Sequence, residues 1–366
     1  MRIAHVITYV SSDGAFGGPV AVAVAQVTEL ARRGHEVDLL AGWDGAAKLE
    51  IEGVNVLLFR ARKTLPGGFS RLTAPAMLQH MWANGGRYDA THVHLARDLV
   101  TLPVACLATR RAYRLVTQTH GMVMPDGRLK TRAFDALAMR ATLRKADALL
   151  ALTDEEKAGL TTITADGSRI HRITNGIDFS ESSGRPRTTV PQIVFLARLH
   201  PRKRVLAFAE AARDLVARGT NATFHVVGPD EGDLDALLGF IESEGLKDSL
   251  KYEGAIPSGR ASERLAKAAV YVLPSFGEIV PMTVLEAMTV GTPVVMTHDC
   301  GVADELRFRN AAAVTNGSPE ELMSAIAAIL DSSALAESMR QNAYIALREV
   351  FSIKAVVDHL EALYKG

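Results

Sequence analysis

Short apolar runs alternate with stretches of helical period along most of the chain. Runs at residues 2–8, 36–41, 54–59, 89–94, 115–120 and 148–152 predict buried strands. Residues 19–33 carry a helical pattern that stops at Gly34, a residue suited to a left-handed helix end. Thr153 followed by Glu156 predicts a capping box at the start of another helix. Regular strand–helix alternation of this kind predicts a parallel sheet covered on both faces.

The pattern breaks at residues 180–191, SESSGRPRTTVP, which has no apolar period and contains Gly184, Pro186 and Pro191. This reads as an interdomain linker. The alternation then restarts, with strands at 192–197, 223–227, 250–253, 270–273 and 293–296 and a helix at 201–218 ended by Gly219. A last helical pattern runs from 320 to 364, interrupted at Phe351 and Ser352. The expectation is an α/β chain of two doubly wound, Rossmann-like parallel-sheet domains, 1–183 and 184–351. The terminal helix, about 352–366, is expected to pack back on the first domain.

Composition agrees with two globular domains. The chain has 366 residues, 48% apolar and 22% charged, enough for two cores of ordinary size. Its formal net charge is zero, so no global field points to nucleic acid. Two cysteines, Cys106 and Cys300, show neither metal spacing nor a disulfide framework and read as buried thiols in a reducing cytoplasm. The opening MRIAHVITYV reads as a strand rather than a signal peptide, and no apolar run reaches membrane-spanning length.

In open parallel sheets ligands bind beyond the carboxyl ends of the strands, so the residues after each strand carry the candidate chemistry. After the first strand, Gly14, Gly17 and Gly18 precede Pro19 and a helix, an arrangement that favours close backbone approach and anions. The spacing is not GxGxxG, and Ala41 and Gly42 stand where a dinucleotide fold places an acid at the second strand end. His120, followed by Gly121, is placed to donate a hydrogen bond to a substrate oxygen or to help stabilise positive charge near a reacting carbon; His92 and His94 read as structural. Arg198 and Lys203 follow the strand at 192–197 and suit a departing pyrophosphate, whereas Arg202 and Arg204 read as solvated. The segment 274–293 starts at a strand end and turns helical near Pro281, with Glu278 in the loop and Glu286 inside the helix. An unpaired charge within VLEAM is costly, so Glu286 is expected to bind something. Backbone N–H groups at the helix start are expected to sit between the two carboxylates and face phosphate or sugar oxygens.

At these residues the chain resembles the retaining glycosyltransferases of family 4, which have the GT-B fold. The resemblance rests on Glu278 and Glu286, spaced by seven residues and followed by AMTVGTPVV. It extends to Arg198 with Lys203, to Asn175, Gly176, Ile177 and Asp178, and to Gly17 and Gly18. It implies two domains facing a central cleft, with the donor nucleotide on the C-terminal one. Glu286 would hold the ribose hydroxyls, and Arg198 and Lys203 the diphosphate. Glu278 would hold the transferred sugar together with backbone at Ile279, Val280 and Pro281. Thr283 and Val284 would lie near the phosphates, and Gly17, Gly18 and His120 would approach from the N-terminal domain. Ile279 and Val280 stand where the family often has Phe-Gly. The resemblance further implies transfer of a hexose-type sugar from a UDP- or GDP-sugar with retention of configuration and no metal ion. The acceptor attacks on the face that the diphosphate leaves, and Glu278 positions the sugar.

Residues 60–145 carry 15 Lys and Arg against 4 Asp and Glu, so the neutral total hides a basic region. That excess suggests peripheral contact with an anionic inner-membrane face and a lipid-linked or saccharide acceptor. Two rival readings are a nucleotide-sugar epimerase of the same architecture and a non-catalytic two-lobed sugar-binding protein.

Overall fold

The computed structural model describes residues 1–10, 17–46, 49–63, 71–128, 131, 134–179 and 190–366. The chain forms two compact units, Met1–Asp178 with Ile353–Gly366, and Phe179–Ser352. The expected boundary at 183/184 and most of the linker at 180–191 lie outside the described residues, as does Gly14.

The first unit is built on β1 (Arg2–Val10), β2 (Glu36–Trp43) and β3 (Val54–Arg60), a short antiparallel pair β4 (Arg62–Lys63) and β5 (Leu72–Thr73), then β6 (Ala90–His94), β7 (Leu115–Gln118), β8 (Ala148–Ala151) and β9 (Ile170–Arg172). Seven of these form one parallel sheet in the order β3-β2-β1-β6-β7-β8-β9. Its order reverses between β1 and β6, so the chain ends of those two strands flank the crevice where such sheets bind ligands. β1 and β6 are buried almost throughout, which explains their unbroken apolar runs. Val6, Leu40, Val93 and Leu149 from the sheet share a core with Met77, Met81 and Leu102 from the covering helices Pro75–Asn84 and Thr101–Arg111.

The terminal helix Ile353–Lys365 belongs to this first unit. Val357, Leu360 and Tyr364 are its buried face. Arg33 bonds Asp358 (2.6 Å) and the Lys354 carbonyl (2.8 Å), Arg114 bonds the Leu363 carbonyl (2.7 Å), and Ile353 N–H donates to Ile177 (3.0 Å). Buried apolar surface and carbonyl-directed guanidinium groups thus hold one helix across a large sequence separation.

The second unit carries β10 (Gln192–Leu196), β11 (Thr223–Val227), β12 (Leu250–Gly254), β13 (Val270–Leu273), β14 (Val294–Thr297) and β15 (Ala313–Thr315). They form a parallel sheet ordered β12-β11-β10-β13-β14-β15, which reverses between β10 and β13. Phe195, Phe208, Phe224 and Leu237 lie in its core.

Three local expectations are corrected. The strand predicted at 115–120 stops at Gln118, because His120 adopts a left-handed backbone (φ +50°) that leaves the sheet. The helix predicted at 201–218 is broken into a 3₁₀ turn, Pro201–Lys203, and the helix Val205–Ala217, so Lys203 ends a turn rather than starting a helix. The break lies at Arg204, whose backbone is left-handed (φ +55°). The capping box is half formed: Thr153 Oγ1 accepts from the Glu156 N–H (3.0 Å) at the start of the helix Asp154–Thr164. The Glu156 carboxylate does not return to Thr153. It accepts from Leu152 N–H (2.7 Å), Thr119 Oγ1 (2.5 Å) and Gly121 N–H (2.5 Å), because a buried carboxylate takes as many donors as it can reach.

Candidate functional site

In the second unit, the loops that follow β10 and β13 hold the charged groups. Lys203 Nζ is ion-paired with Glu278 Oε1, and Arg202 stands 3.8 Å from the same oxygen. Lys203 and Glu278 are only 16% and 12% exposed, so the pair is largely withdrawn from water. The Glu278 loop is anchored from three sides. Gly301 N–H donates to the Glu278 carbonyl (2.7 Å), Gly277 N–H to Asp299 (2.8 Å), and Arg202 to the Gly277 carbonyl (3.0 Å).

Arg204 departs from its expected solvated setting, whereas Arg198 lies at the surface. Arg198 is 60% exposed and engages both oxygens of Glu231 (2.8 Å each). Arg204 is turned inward by its left-handed backbone. Its guanidinium lies over the Phe276 ring (4.3 Å) and donates to the Gly317 carbonyl (2.7 Å). Burial lowers its pKa, and nearby Glu210 opposes that shift. A side chain at Gly317 (φ +81°) would collide with that guanidinium. Gly228 is held as tightly: a Cβ there would overlap the Ala197 carbonyl, just before Arg198.

The helix Met282–Thr289 begins after Pro281 with no side-chain cap. Tyr271 on β13 donates to Thr283 Oγ1 (2.7 Å) and lies 3.2 Å from the Leu196 carbonyl, tying the helix start to the end of β10. Val284 and Pro281 are buried, whereas Ile279 is exposed, so any ligand contact by Val284 must come from its backbone. Glu286 is half-buried, and its Oε2 is buried without a hydrogen-bond partner. Desolvation raises its pKa. Ser275 Oγ, at the end of β13, is likewise buried and unpartnered.

In the first unit, histidines rather than carboxylates gather near the strand ends. His5 on β1 lies opposite His92 on β6, and His94 is two residues further along. His94 Nδ1 is 2.8 Å from His120 Nε2, and His94 Nε2 is 3.3 Å from His5 Nδ1. Tyr364 Oη is 3.2 Å from His5 Nε2 and 2.6 Å from His92 Nδ1. Burial pushes His5 down to about 3 and His120 to about 4, and lowers His92 and His94 well below the usual range. One nitrogen from each of His5, His92 and His94 lies within 4.8 Å of the others. Yet the His92 and His94 rings are stacked, parallel within 2° at 4.7 Å. An imidazole lone pair lies in its ring plane, and stacked planes do not meet at one ion, so hydrogen bonding accounts for this cluster. Beside His94, Ile7, Tyr9, Pro19, Val20 and Met122 line an apolar cavity of about 230 Å³. Gly17 and Gly18 open the neighbouring helix Gly17–Arg32, and the space at Gly18 is clear.

Residues 177–346 match the family described as glycosyl transferases group 1, and residues 17–176 match the glycosyl transferase 4-like domain. The two matches run almost without a break along the chain. The chain belongs to the group 1 glycosyltransferases. Among its relatives is an alpha-D-kanosaminyltransferase of Streptomyces kanamyceticus, 26% identical over 62% of this chain and 62% of that one. The match therefore spans just under two thirds of that relative's length. A D-inositol 3-phosphate glycosyltransferase of Rhodococcus jostii is 23% identical over 83% of this chain and 74% of its own. Among solved structures, Anabaena Alr3699/HepE in complex with UDP superposes with a TM-score of 0.75, 19% identity and full coverage of both chains. The fold is GT-B. Family membership replaces the epimerase and binding-protein readings.

Within this glycosyltransferase, the structure gathers Lys203, Glu278 and the start of the Glu286 helix around the β10/β13 reversal, while Arg198 faces Glu231. His120, Gly17 and Gly18 lie in the other unit. Sequence reading missed Tyr271, Glu231, Asp299 and the histidine file. It also missed Arg97, which clamps Asp135 (2.8 Å) and the Met122 and Met124 carbonyls beyond His120. The alternation HVH at 92–94 was the available signal, since strand period puts both imidazoles on one face. Among the described residues, no single helix is long and apolar enough to cross a membrane.

Two pH effects follow from these shifts. The buried histidines bind protons less readily folded than unfolded, so stability falls as pH drops below about 6.5 and levels off near the folded values of about 4 and 3. Urea midpoints measured from pH 7 to pH 4 should decline accordingly; a flat profile would contradict the neutral cluster. Glu286 has the opposite sense: its raised folded pKa makes the ionised carboxylate destabilising above its ordinary value of 4.5. Glu286→Gln should raise the urea midpoint at pH 7 and lose that advantage by pH 4. A midpoint unchanged or lowered at pH 7 would count against it.

Proposed function

We propose that the chain is a retaining, metal-independent glycosyltransferase that moves a hexose-type sugar from a UDP- or GDP-sugar to a lipid-linked or saccharide acceptor. The observation that carries the reading is Glu286: a carboxylate oxygen buried without a donor, one turn into a helix whose start has no side-chain cap. Such a group suits paired ribose hydroxyls, which supply the missing donors. Lys203 has three N–H donors, so it can hold Glu278 and still bond a diphosphate oxygen. Arg198 reaches the diphosphate by giving up part of its hold on Glu231. These cations offset charge on the leaving group, the work a metal ion does elsewhere.

Glu278 is neutralised by Lys203 and flanked by Arg202, which makes it a poor nucleophile and a good acceptor for sugar hydroxyls. Retention then follows from front-face attack, with the departing phosphate oxygen taking the acceptor proton. His120 donates to a substrate oxygen. The bound UDP in the Anabaena relative supports a uridine donor. Trp82, 60% exposed with Arg111 at 3.8 Å over its ring, supports peripheral contact with an anionic cytoplasmic membrane face.

Thermal shift with a panel of nucleotide sugars, followed by assay of nucleoside diphosphate release and product anomer, tests the core of this proposal. One donor should stabilise the fold, and Lys203→Ala should lower turnover by about 100-fold or more. Near-normal turnover in both Lys203→Ala and Glu286→Gln would overturn it. Sedimentation with anionic vesicles should recover more protein than with neutral ones; equal recovery removes the membrane contact.

A further inference from the structure

Three successive basic residues, Arg202, Lys203 and Arg204, close the turn after β10, and each engages the loop that follows β13. The Arg202 carbonyl accepts from Phe276 N–H (3.0 Å), and its guanidinium donates to the Gly277 carbonyl (3.0 Å). Lys203 pairs with Glu278. Arg204 holds the start of the same loop. Its Nη1 lies 3.4 Å from the Pro274 carbonyl, and its guanidinium covers the Phe276 ring at 4.3 Å. The same Nη1 donates to the Gly317 carbonyl (2.7 Å), so Arg204 also reaches the segment after β15.

The surroundings are shaped to this guanidinium. Gly317 has a left-handed backbone (φ +81°), and a Cβ there would run into Arg204 Nη1 and the Thr297 methyl group. Thr297, at the end of β14, donates in turn to the Ser275 carbonyl, between Pro274 and Phe276. The chain leaving β13, β14 and β15 therefore converges on one cation. The other backbone anchors of the loop, Gly277 to Asp299 and Gly301 to Glu278, lie further along it. Where the loop leaves the sheet, from Pro274 to Phe276, its holders are Arg202, Arg204 and Thr297.

Two costs set this arginine apart from a solvated one. Its guanidinium is half-buried, bonds carbonyl oxygens and forms no ion pair among the described residues; burial lowers its pKa, and Glu210 opposes that shift through charge alone. Its backbone is left-handed (φ +55°), a conformation that glycine adopts freely and arginine does not. A glycine at position 204 would meet neither cost. The contacts of the guanidinium offset both, and what those contacts hold is the loop that carries Glu278.

We infer that Arg204 is a positioning residue for sugar transfer: a guanidinium staple that fixes the Pro274–Glu278 loop against the segment after β15 and so sets where the Glu278 carboxylate stands. Charged groups stabilise a transition state well only when they are already in place, and the staple keeps Glu278 within reach of Lys203 before a donor binds. The inference rests on the proposed contact between Glu278 and the transferred sugar, but the staple itself can be observed without any substrate.

Two variants test it. Arg204→Gly removes the guanidinium and relieves the left-handed backbone. Arg204→Lys keeps the charge and the backbone cost but has no planar fork to span two carbonyls and a ring. Amide hydrogen exchange, resolved to single residues, is measured first, without substrate. In Arg204→Gly the Phe276, Gly277 and Gly301 amides should exchange about tenfold faster than in wild type, with β10 and β13 unchanged. Initial rates are then measured with the UDP- or GDP-sugar that stabilises wild type most. Arg204→Gly should melt like a native protein, lose about tenfold in kcat and shift the donor KM by less than about twofold. Arg204→Lys should not restore that kcat. Loop exchange at the wild-type rate in Arg204→Gly would overturn the inference, as would an unchanged kcat per folded molecule. If Arg204→Gly does not fold, Arg204→Lys decides, because wild-type exchange and kcat there would show that a point charge suffices. Glu278→Gln separates the underlying reading: near-normal turnover in that variant removes Glu278 from transfer, whatever the loop exchange shows.

Discussion

The ion pair between Lys203 and Glu278 is the constraint on which the second unit's chemistry depends. It joins the turn after β10 to the loop after β13, two segments 75 residues apart that the reversal in strand order places side by side. Neither charge is well solvated, so losing either partner leaves the other uncompensated in a poorly hydrated site. The pair therefore selects one arrangement of both loops before any ligand arrives. The hydrogen bonds from Gly277 to Asp299 and from Gly301 to Glu278 hold the same loop through its backbone. Electrostatic stabilisation of a leaving group is effective only when the charges need no reorganisation, and this loop is built to need little.

Much of the fold could be read from the chain because parallel strands covered on both faces leave continuous apolar runs. β1, β6, β10 and β13 all show this, and their limits fall within two residues of expectation. Ile170–Arg172 and Ala313–Thr315 went unread because three residues cannot display a period. The site was legible where a residue's local setting contradicts its chemistry. Glu286 in VLEAM is such a case, and the structure finds its carboxylate oxygen unpartnered. Arg204 was read as solvated because a run of basic residues has no period, and only its left-handed backbone turns it inward. Beyond its HVH pair, the histidine file was hidden for another reason. Its members are brought together by sheet register and by a helix that returns from the far end of the chain.

Both units leave some buried polar atoms unmet, Gln26 Oε1, Thr91 Oγ1 and Thr117 Oγ1 among those in the first. The first also connects many: four histidines and a tyrosine are hydrogen-bonded in one file, and Glu156 and Asp98 each gather several donors. Burial raises the Asp98 pKa, while hydrogen bonds from Thr101, Thr8 and Val100 oppose that shift. The second leaves Glu286 Oε2 and Ser275 Oγ unmet at the carboxyl edge of its sheet. A connected network rigidifies, whereas an unmet group lowers stability until a ligand meets its demand. The same oxygen that weakens the empty fold is then the one whose satisfaction is worth most on binding. In the first unit the product of burial is a connected file of neutral imidazoles and one phenol. Removing water from a polar group thus serves two ends in one chain: at Glu286 it stores unmet demand for a ligand, and along the histidine file it ties the place of each proton to that of its neighbours.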